Sequence, residues 1–194
     1  MLHRPENPNG HAIVLTHGAG SNSDAPLLVR LAADFADAGY LMVRYDLPFR
    51  IQGRAPSPAQ AVHDREGVRE AVAEARKLVK GRVIAGGHSY GGRQTAMAAA
   101  ETPGLVDALL LLSYPLHPPG NRAKMRTDYF PKLQTPALFV HGSKDPFGTL
   151  ADLRAAIPAI PARTDVLEIE GAAHDLKKAM TRGPEILARL EALV

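Results

Sequence analysis

A serine between two glycines is the part of the sequence with the clearest chemical potential. Gly87, Ser89 and Gly91 form a Gly-x-Ser-x-Gly motif between an apolar segment and an alanine-rich segment. This pattern is typical of a sharp strand-to-helix turn, in which the serine takes a positive φ and exposes its hydroxyl as a nucleophile. Glycines are needed because side chains two positions either side of the serine would collide. The plain alternative is a glycine-rich turn without chemistry, which the flanking strand and helix patterns argue against.

Three further polar groups follow apolar segments of the chain. Residues 16–21 form a glycine-rich loop, Asp145 precedes Pro146, and His174 follows a short Gly-Ala-Ala segment. If the apolar segments are parallel strands, all these loops lie at the carboxyl ends of the strands, where ligands bind. The order serine, aspartate, histidine along the chain is one of the orders found among serine hydrolases.

The elements that must position these groups are predicted from hydrophobic patterning. Six short apolar segments are expected to form strands, at residues 12–15, 40–45, 82–86, 108–112, 137–140 and 165–170. Segments with helical periodicity separate them, and wholly apolar strands alternating with helices indicate a parallel sheet covered on both faces. We therefore predict an α/β fold, a three-layer αβα sandwich with a mostly parallel sheet, as a single domain over residues 1–194. Residues 1–10 are predicted to be a short leader.

Four segments of the chain carry a resemblance to a known family. They are His-Gly-Ala-Gly-Ser at 17–21, Gly-His-Ser-Tyr-Gly at 87–91, Val-His-Gly-Ser-Lys-Asp-Pro at 140–146 and Gly-Ala-Ala-His at 171–174. With them the chain resembles the α/β-hydrolase superfamily in its dienelactone-hydrolase-like region. It is particularly similar to bacterial relatives of the testis-expressed and NSL-complex-subunit hydrolase-like domains. The likeness spans residues 11–194 and implies a minimal α/β-hydrolase fold, without the first strands of larger relatives and without a cap domain.

The resemblance implies a catalytic triad. Ser89 is expected to be the nucleophile, His174 the general base and later acid, and Asp145 the group that orients the imidazole. This agrees with general chemistry, because a serine hydroxyl is a weak nucleophile until a base takes its proton. Asp145 could instead simply begin a turn before a proline, and Asp175 could compete with it as the partner of His174. Glu168 or Glu170 could substitute for Asp145 only if the last strands are assigned wrongly.

An oxyanion hole is expected beside the nucleophile, because the tetrahedral intermediate of acyl transfer carries a negative oxygen. The backbone N–H of Tyr90 is expected to supply one donor. Ala19, rather than Gly18, is expected to supply the other. His17 and His88 are expected to shape their loops through hydrogen bonds.

Other chemistries are weakly supported by the sequence. No closely spaced ligand pair supports a zinc site built from the histidines, so no metal is predicted. Gly86 and Gly91 have P-loop spacing, but Gly92-Arg93 stands where Lys-Ser/Thr is needed. The loop after the first strand lacks the last glycine of a dinucleotide fingerprint. No cofactor is therefore predicted.

The substrate pocket is expected to come from the loops at 47–54 and 114–129. Phe49, Leu116, Tyr129 and Phe147 are predicted to form apolar walls. Arg50 is predicted to contact substrate, and together with Arg93, Lys124 and Arg126 it would favour an anionic acyl group. Without a cap domain, the pocket is expected to be open.

Composition excludes several classes of partner. The formal net charge is +3, the cations are scattered, and aromatic residues make up 5% of the chain, so no nucleic-acid partner is predicted. Because no segment approaches the roughly 20 apolar residues of a membrane span, no membrane partner is predicted. The first residues lack the apolar core of a signal peptide, which favours a cytoplasmic location. A monomer or homodimer is expected.

The leading functional hypothesis is a serine hydrolase acting on a carboxylic ester or thioester through an acyl-enzyme intermediate. A small-molecule substrate is therefore the expected partner. The alternative is a catalytically silent hydrolase-like scaffold or interaction domain. A peptidase or acyltransferase that uses the same triad is the less favoured third hypothesis, since the acceptor is chosen by pocket shape.

Overall fold

A single mixed sheet organises the protein, for which a computed structural model describes residues 1–118 and 120–194. Within these residues the sheet has seven strands in the order β1-β3-β2-β4-β5-β6-β7. All neighbouring pairs are parallel except β1 and β3. The strands are β1 (Leu2–His3), β2 (Ala12–Thr16), β3 (Leu41–Tyr45), β4 (Val83–His88), β5 (Ala108–Leu112), β6 (Ala137–Gly142) and β7 (Thr164–Ile169).

The first strand corrects the prediction of six strands and of a leader over residues 1–10. Leu2 pairs with Val43 and His3 with Met42, antiparallel to β3. Strand β1 has only two residues, so it is too short to show the alternation from which strands are predicted. Arg44 donates a hydrogen bond from Nε to His3 Nε2 at 3.0 Å, which adds a side-chain contact to this edge.

Helices cover both faces of the sheet and confirm the three-layer α/β architecture. They are α1 (Pro26–Asp37), α2 (Pro48–Ile51), α3 (Pro58–Leu78), α4 (Tyr90–Glu101), α5 (Leu150–Ala156) and α6 (Gly183–Glu191). One apolar core lies between the sheet and α1 and α6. The other core lies between the opposite face and α2 to α5. Strands β2 and β5 are buried along their whole length because both faces are covered.

Local sequence explains where several helices begin and which faces they bury. Ser57 caps α3 by accepting from the Gln60 N–H, and Thr149 with Asp152 forms a capping box at the start of α5. The apolar positions that recur at helical spacing in α1 are buried: Leu27, Leu28, Leu31, Ala32 and Phe35.

Strand order determines where a site can form. The chain moves from β2 to β3 on one side and then crosses to β4 on the other side, so the sheet order reverses between β2 and β4. A crevice forms at the carboxyl ends of strands where such a reversal occurs. The loops after β2 and β4 therefore open into the same crevice.

A membrane-spanning helix is absent from the part of the chain that the structure describes.

Candidate active site

The turn after β4 holds Ser89 in a strained backbone conformation. Its φ is 51° and its ψ is −115°, in a region that residues with a Cβ rarely adopt. The Ser89 N–H donates to the Leu112 carbonyl at 2.8 Å, which ties the turn to the end of β5. A Cβ on Gly87 would meet the carbonyl of Thr16, and a Cβ on Gly91 would meet that of His17. Both glycines are thus required because the turn lies directly against β2.

The structure brings Ser89, His174 and Asp145 into one hydrogen-bonded chain. His174 Nε2 lies 2.8 Å from Ser89 Oγ, although the residues are 85 positions apart. His174 Nδ1 lies 2.8 Å and 3.0 Å from the two carboxylate oxygens of Asp145. Ser89 and His174 are half-buried, whereas Asp145 is buried. The arrangement leaves the hydroxyl open to a ligand and keeps the carboxylate away from water.

Asp145 is held as an anion by its surroundings. Burial by itself would raise the pKa of this carboxyl group. The hydrogen bond from His174, the Phe147 N–H at 2.9 Å and the nearby His141 outweigh burial, so the pKa of Asp145 is lowered. The Phe147 amide also fixes the carboxylate in its turn, which leaves both oxygens facing the His174 ring.

The two residues predicted to form the oxyanion hole, Tyr90 and Ala19, line the same cavity as Ser89. Tyr90 is the first residue of α4, so its N–H has no acceptor within the helix. Ala19 lines the same cavity in the loop after β2. This loop is anchored by the buried His17, whose Nδ1 donates to the Gly18 carbonyl at 2.8 Å and whose Nε2 accepts from the Leu47 N–H at 3.1 Å.

His88 supports the loop that carries His174. Its Nε2 donates to the backbone carbonyl of His174 at 2.7 Å, and the centroids of the two rings are 5.2 Å apart. Burial lowers the pKa of His88, which favours the neutral ring. The second ring packed on His174 belongs to Phe147, with a centroid distance of 4.2 Å. The His174 imidazole is therefore positioned by contacts to its ring and by the hydrogen bond to the residue's backbone carbonyl.

Asp64 is a buried residue beneath the site that sequence reasoning missed. Its Oδ1 accepts from the Phe49 N–H at 2.9 Å, and its Oδ2 accepts from the Tyr90 hydroxyl at 2.6 Å. Burial, followed by the hydrogen bond to Asp64, raises the pKa of Tyr90. The sequence gives one clue to this role of Asp64, which is that an aspartate stands among the core-facing positions of a long helix.

An open cavity of about 1090 Å³ leads to Ser89 and His174. Its walls come from six places: the loop after β2, the start of α3, the end of β4 with the first turns of α4, the segment between β5 and β6, the loop after β6 and the loop after β7. The predicted substrate residue Tyr129 lines this cavity, and Phe147 forms an apolar wall beside His174.

Three predicted substrate residues do not line the cavity. Phe49 is buried and packs against the rings of His17 and Tyr90, because α2 turns its side chain inward. Leu116 is fully buried in the same core. Arg50 is exposed on α2 and lies outside the cavity lining. The prediction that these residues contact substrate is therefore not supported by their placement.

The rival carboxylates are engaged elsewhere. Asp175 is exposed and forms an ion pair with Lys177 at 3.0 Å. Glu168 forms an ion pair with Arg154 at 3.4 Å on the outer strand β7. Among the described residues, no group of three or more histidine, aspartate or glutamate side chains could hold a metal ion.

We expect Asp64→Ala to lower the free energy of unfolding by about 2–4 kcal/mol, because the buried Phe49 N–H and the Tyr90 hydroxyl would lose their acceptor. Asp64→Asn is the matched control, since its amide oxygen keeps an acceptor in place, and it should cost less than half as much. Urea unfolding of both variants measures the difference. Equal and small losses for the two variants would contradict this role of Asp64.

The protein should lose stability as pH falls below about 6.5, where histidine titrates in an unfolded chain. Burial lowers the pKa of His17 and of His88, so the unfolded chain binds more protons than the folded chain between the folded pKa and 6.5. Each such histidine contributes a slope of up to about 1.4 kcal/mol per pH unit. The free energy of unfolding, measured by urea denaturation between pH 7.5 and 5.5, should depend less steeply on pH in His88→Gln than in the parent protein. His63→Gln on the surface should match the parent protein.

A family model matches a range of residues that includes all four motif segments. The model described as an alpha/beta hydrolase domain matches residues 9–194. Three solved structures illustrate the likeness. A serine hydrolase homologue from Coxiella burnetii is 18% identical with a TM-score of 0.78, covering 97% of this chain and 89% of its own.

The second structure, dienelactone hydrolase from Anabaena variabilis, is 20% identical with a TM-score of 0.76, covering 98% of this chain and 89% of its own. The third, the esterase domain of a Rhodothermus marinus protein, is 17% identical with a TM-score of 0.72, covering 97% and 90%. At these identities the structures establish a shared fold. Together with the family match they confirm the predicted resemblance to α/β-hydrolases, and the chain belongs to the alpha/beta hydrolase domain family.

Proposed function

We propose that this protein is a serine hydrolase that cleaves carboxylic esters or thioesters through an acyl-enzyme intermediate. The observation that carries the proposal is the chain of hydrogen bonds from Ser89 Oγ through His174 to Asp145, at 2.8 Å for each contact. These distances lie within the range that a nucleophile and its base require. The hydroxyl also faces an open cavity in which a substrate can be placed.

The first half of the reaction forms the acyl-enzyme. Ser89 Oγ attacks the substrate carbonyl carbon while its proton passes to His174 Nε2. The carbonyl oxygen becomes negative and accepts hydrogen bonds from the N–H groups of Tyr90 and Ala19. The tetrahedral intermediate then collapses, the bond to the leaving alcohol or thiol breaks, and His174 returns the proton to the leaving atom.

The second half releases the acid. A water molecule gives a proton to His174 Nε2 as its oxygen attacks the acyl carbon, and the bond to Ser89 Oγ then breaks with return of that proton to the serine. Asp145 stays ionised throughout, in keeping with its lowered pKa. Its negative charge stabilises the imidazolium that exists in each half of the reaction.

Esters and thioesters are favoured as substrates for two reasons. The cavity is open and no cap covers it in the part of the chain that the structure describes, so an acyl chain and its leaving group can both extend from Ser89 toward solvent. The similar structures include proteins named as a dienelactone hydrolase and as an esterase domain. Both names describe cleavage at an ester carbonyl, which is the reaction that the arrangement around Ser89 can perform.

Ser89→Ala should abolish turnover of p-nitrophenyl esters and covalent labelling by a fluorophosphonate, because the attacking oxygen is gone. Circular dichroism should show an unchanged fold. Ser21→Ala is the matched control, since Ser21 lines the same cavity and should leave labelling intact. Unchanged labelling of Ser89→Ala would remove Ser89 from this role, and a folded parent protein without esterase activity would favour the scaffold hypothesis.

Asp145→Asn should lower kcat for ester hydrolysis by roughly 10³–10⁴-fold, because the imidazole would lose the carboxylate that sets its tautomer and charge. Asp175→Asn removes a neighbouring carboxylate that pairs with Lys177 and should change kcat by no more than about twofold. Steady-state kinetics on one ester compare the two variants. A larger loss of kcat in Asp175→Asn than in Asp145→Asn would identify Asp175 as the carboxylate that orients His174.

A further inference from the structure

The loop after β2 has an exposed tip between two buried ends. Ala19 and Gly20 at the tip are exposed, whereas Gly18 before them and Ser23 after them are buried. Across the tip, the Ser21 N–H donates to the Gly18 carbonyl at 3.1 Å. An exposed segment with few contacts is held in place mainly by the residues at its ends. The position of the Ala19 N–H therefore depends on how firmly the two ends are bonded.

Ser23, at the far end of this loop, is bonded through both of its backbone groups. Its N–H donates to Asp46 Oδ1 at 2.6 Å. Its carbonyl accepts from Nη1 of the Arg44 guanidinium. Both partners are side chains from the end of β3 and the residue after it, so neither bond belongs to a helix or to the sheet. Because Ser23 is buried, loss of either partner would leave a backbone group without a bond.

Arg44 is buried to an extent that is unusual for an arginine, with 5% of its side chain exposed. Besides the Ser23 carbonyl, its guanidinium contacts His3 Nε2 at 3.0 Å and the Asp24 carboxylate at 3.3 Å. A buried charged group is tolerated only where its donors find acceptors. Two of the three acceptors, those of Ser23 and Asp24, belong to the loop after β2, so the guanidinium is held against that loop.

Asp46 connects the two ends of the loop. Its Oδ1, which accepts from Ser23, also lies 3.4 Å from His17 Nε2. His17 in turn bonds the near end of the loop through the Gly18 carbonyl at 2.8 Å. Both ends of the loop are thus attached at the end of β3, and the tip that carries Ala19 spans the distance between them.

Arg44 and Asp46 lie away from the reacting atoms, since among the described residues neither lines the cavity that leads to Ser89. We propose that these two side chains are positioning residues for the oxyanion hole, which hold the Ala19 N–H toward Ser89 by fixing Ser23. This inference rests on the proposed hydrolase function and adds to it the part of the protein that sets the second donor. Strand β3 thereby contributes to the chemistry although it carries no residue of the hydrogen-bonded chain.

A donor of the oxyanion hole acts mainly in the transition state. The substrate oxygen gains negative charge only as Ser89 Oγ attacks, so a misplaced N–H weakens binding of the transition state more than binding of the ester. A displacement of about 1 Å can lower a rate by roughly 100-fold. We therefore expect loss of the Ser23 bonds to reduce kcat and to leave KM nearly unchanged.

Asp46→Ala and Arg44→Met should each lower kcat for p-nitrophenyl butyrate by about 10- to 100-fold and change KM by less than about threefold. Asp46→Asn keeps an oxygen that can accept from the Ser23 N–H, so it should recover most of the loss. Asp37→Ala and Arg30→Met on the surface of α1 are the matched controls and should behave as the parent protein. Exhaustive titration with a fluorophosphonate counts the competent molecules, so that a partly unfolded sample is not taken for a slow enzyme.

A transition-state analogue separates positioning from a purely structural role. Ser89 Oγ adds to the carbonyl carbon of a trifluoromethyl ketone, His174 Nε2 takes the proton, and the ketone oxygen becomes an anion that accepts from the same N–H donors. The inhibition constant of trifluoromethyl hexyl ketone should rise in Asp46→Ala and Arg44→Met by the same factor as kcat/KM falls. Methyl hexyl ketone, the matched ground-state analogue, should bind every variant within about threefold of the parent protein.

Folded, titratable variants with the kcat of the parent protein would overturn the positioning role and leave the hydrolase function in place. A fall in kcat without weaker binding of the trifluoromethyl ketone would overturn it as well, because the loss would then arise outside the oxyanion hole. If the parent protein cleaves no ester, the hydrolase proposal fails and this role fails with it. Should Arg44→Met not fold, Asp46→Ala and Asp46→Asn decide, and equal kcat in these two variants would refute the role of the Ser23 bond.

Discussion

The close approach of the turn after β4 to the end of β2 is the constraint on which the site depends. Backbone meets backbone at Gly87 and Gly91, so neither position has room for a Cβ. That contact holds Ser89 at a positive φ and presses the start of α4 against the first loop. The hydroxyl, the Tyr90 N–H and the loop that carries Ala19 therefore share one rigid frame, which the hydrogen bonds of His17 extend to the end of β3.

Two buried aspartates serve this frame in different ways. Asp145 is anionic and faces His174, so it is available to balance a charge that moves during a reaction. Asp64 contacts a hydroxyl and a backbone N–H and connects α3 to the side chain of Tyr90, the residue after Ser89. Buried carboxylates are tolerated only where hydrogen bonds replace water, and here each has such partners. Asp145 contacts the imidazole that faces Ser89, and Asp64 fixes the side chain of Tyr90.

Sequence reasoning succeeded where local pattern and chain order carry the information. Wholly apolar strands and the positions of Ser89, Asp145 and His174 after them indicated both the sheet and the meeting point of the three residues, because parallel strands end at one edge. Sequence reasoning failed for substrate contacts, which depend on the direction of each side chain. A loop position does not tell whether Phe49 or Leu116 points to a cavity or to the core. Asp64 was similarly hidden, as its partners lie in distant segments. Strand β1 was too short to leave a pattern.

The segment between β5 and β6 contributes Arg126 and Tyr129 to the cavity wall but no member of the serine, histidine and aspartate chain. Its tyrosines and main chain are bonded mostly to one another, as in the contact of 2.7 Å between the Tyr114 and Tyr129 hydroxyls. This wall and the hydrogen-bonded chain from Ser89 to Asp145 are thus built from separate pieces of the polypeptide. Substitutions in this segment would reshape the cavity and leave the contacts among Ser89, His174 and Asp145 in place.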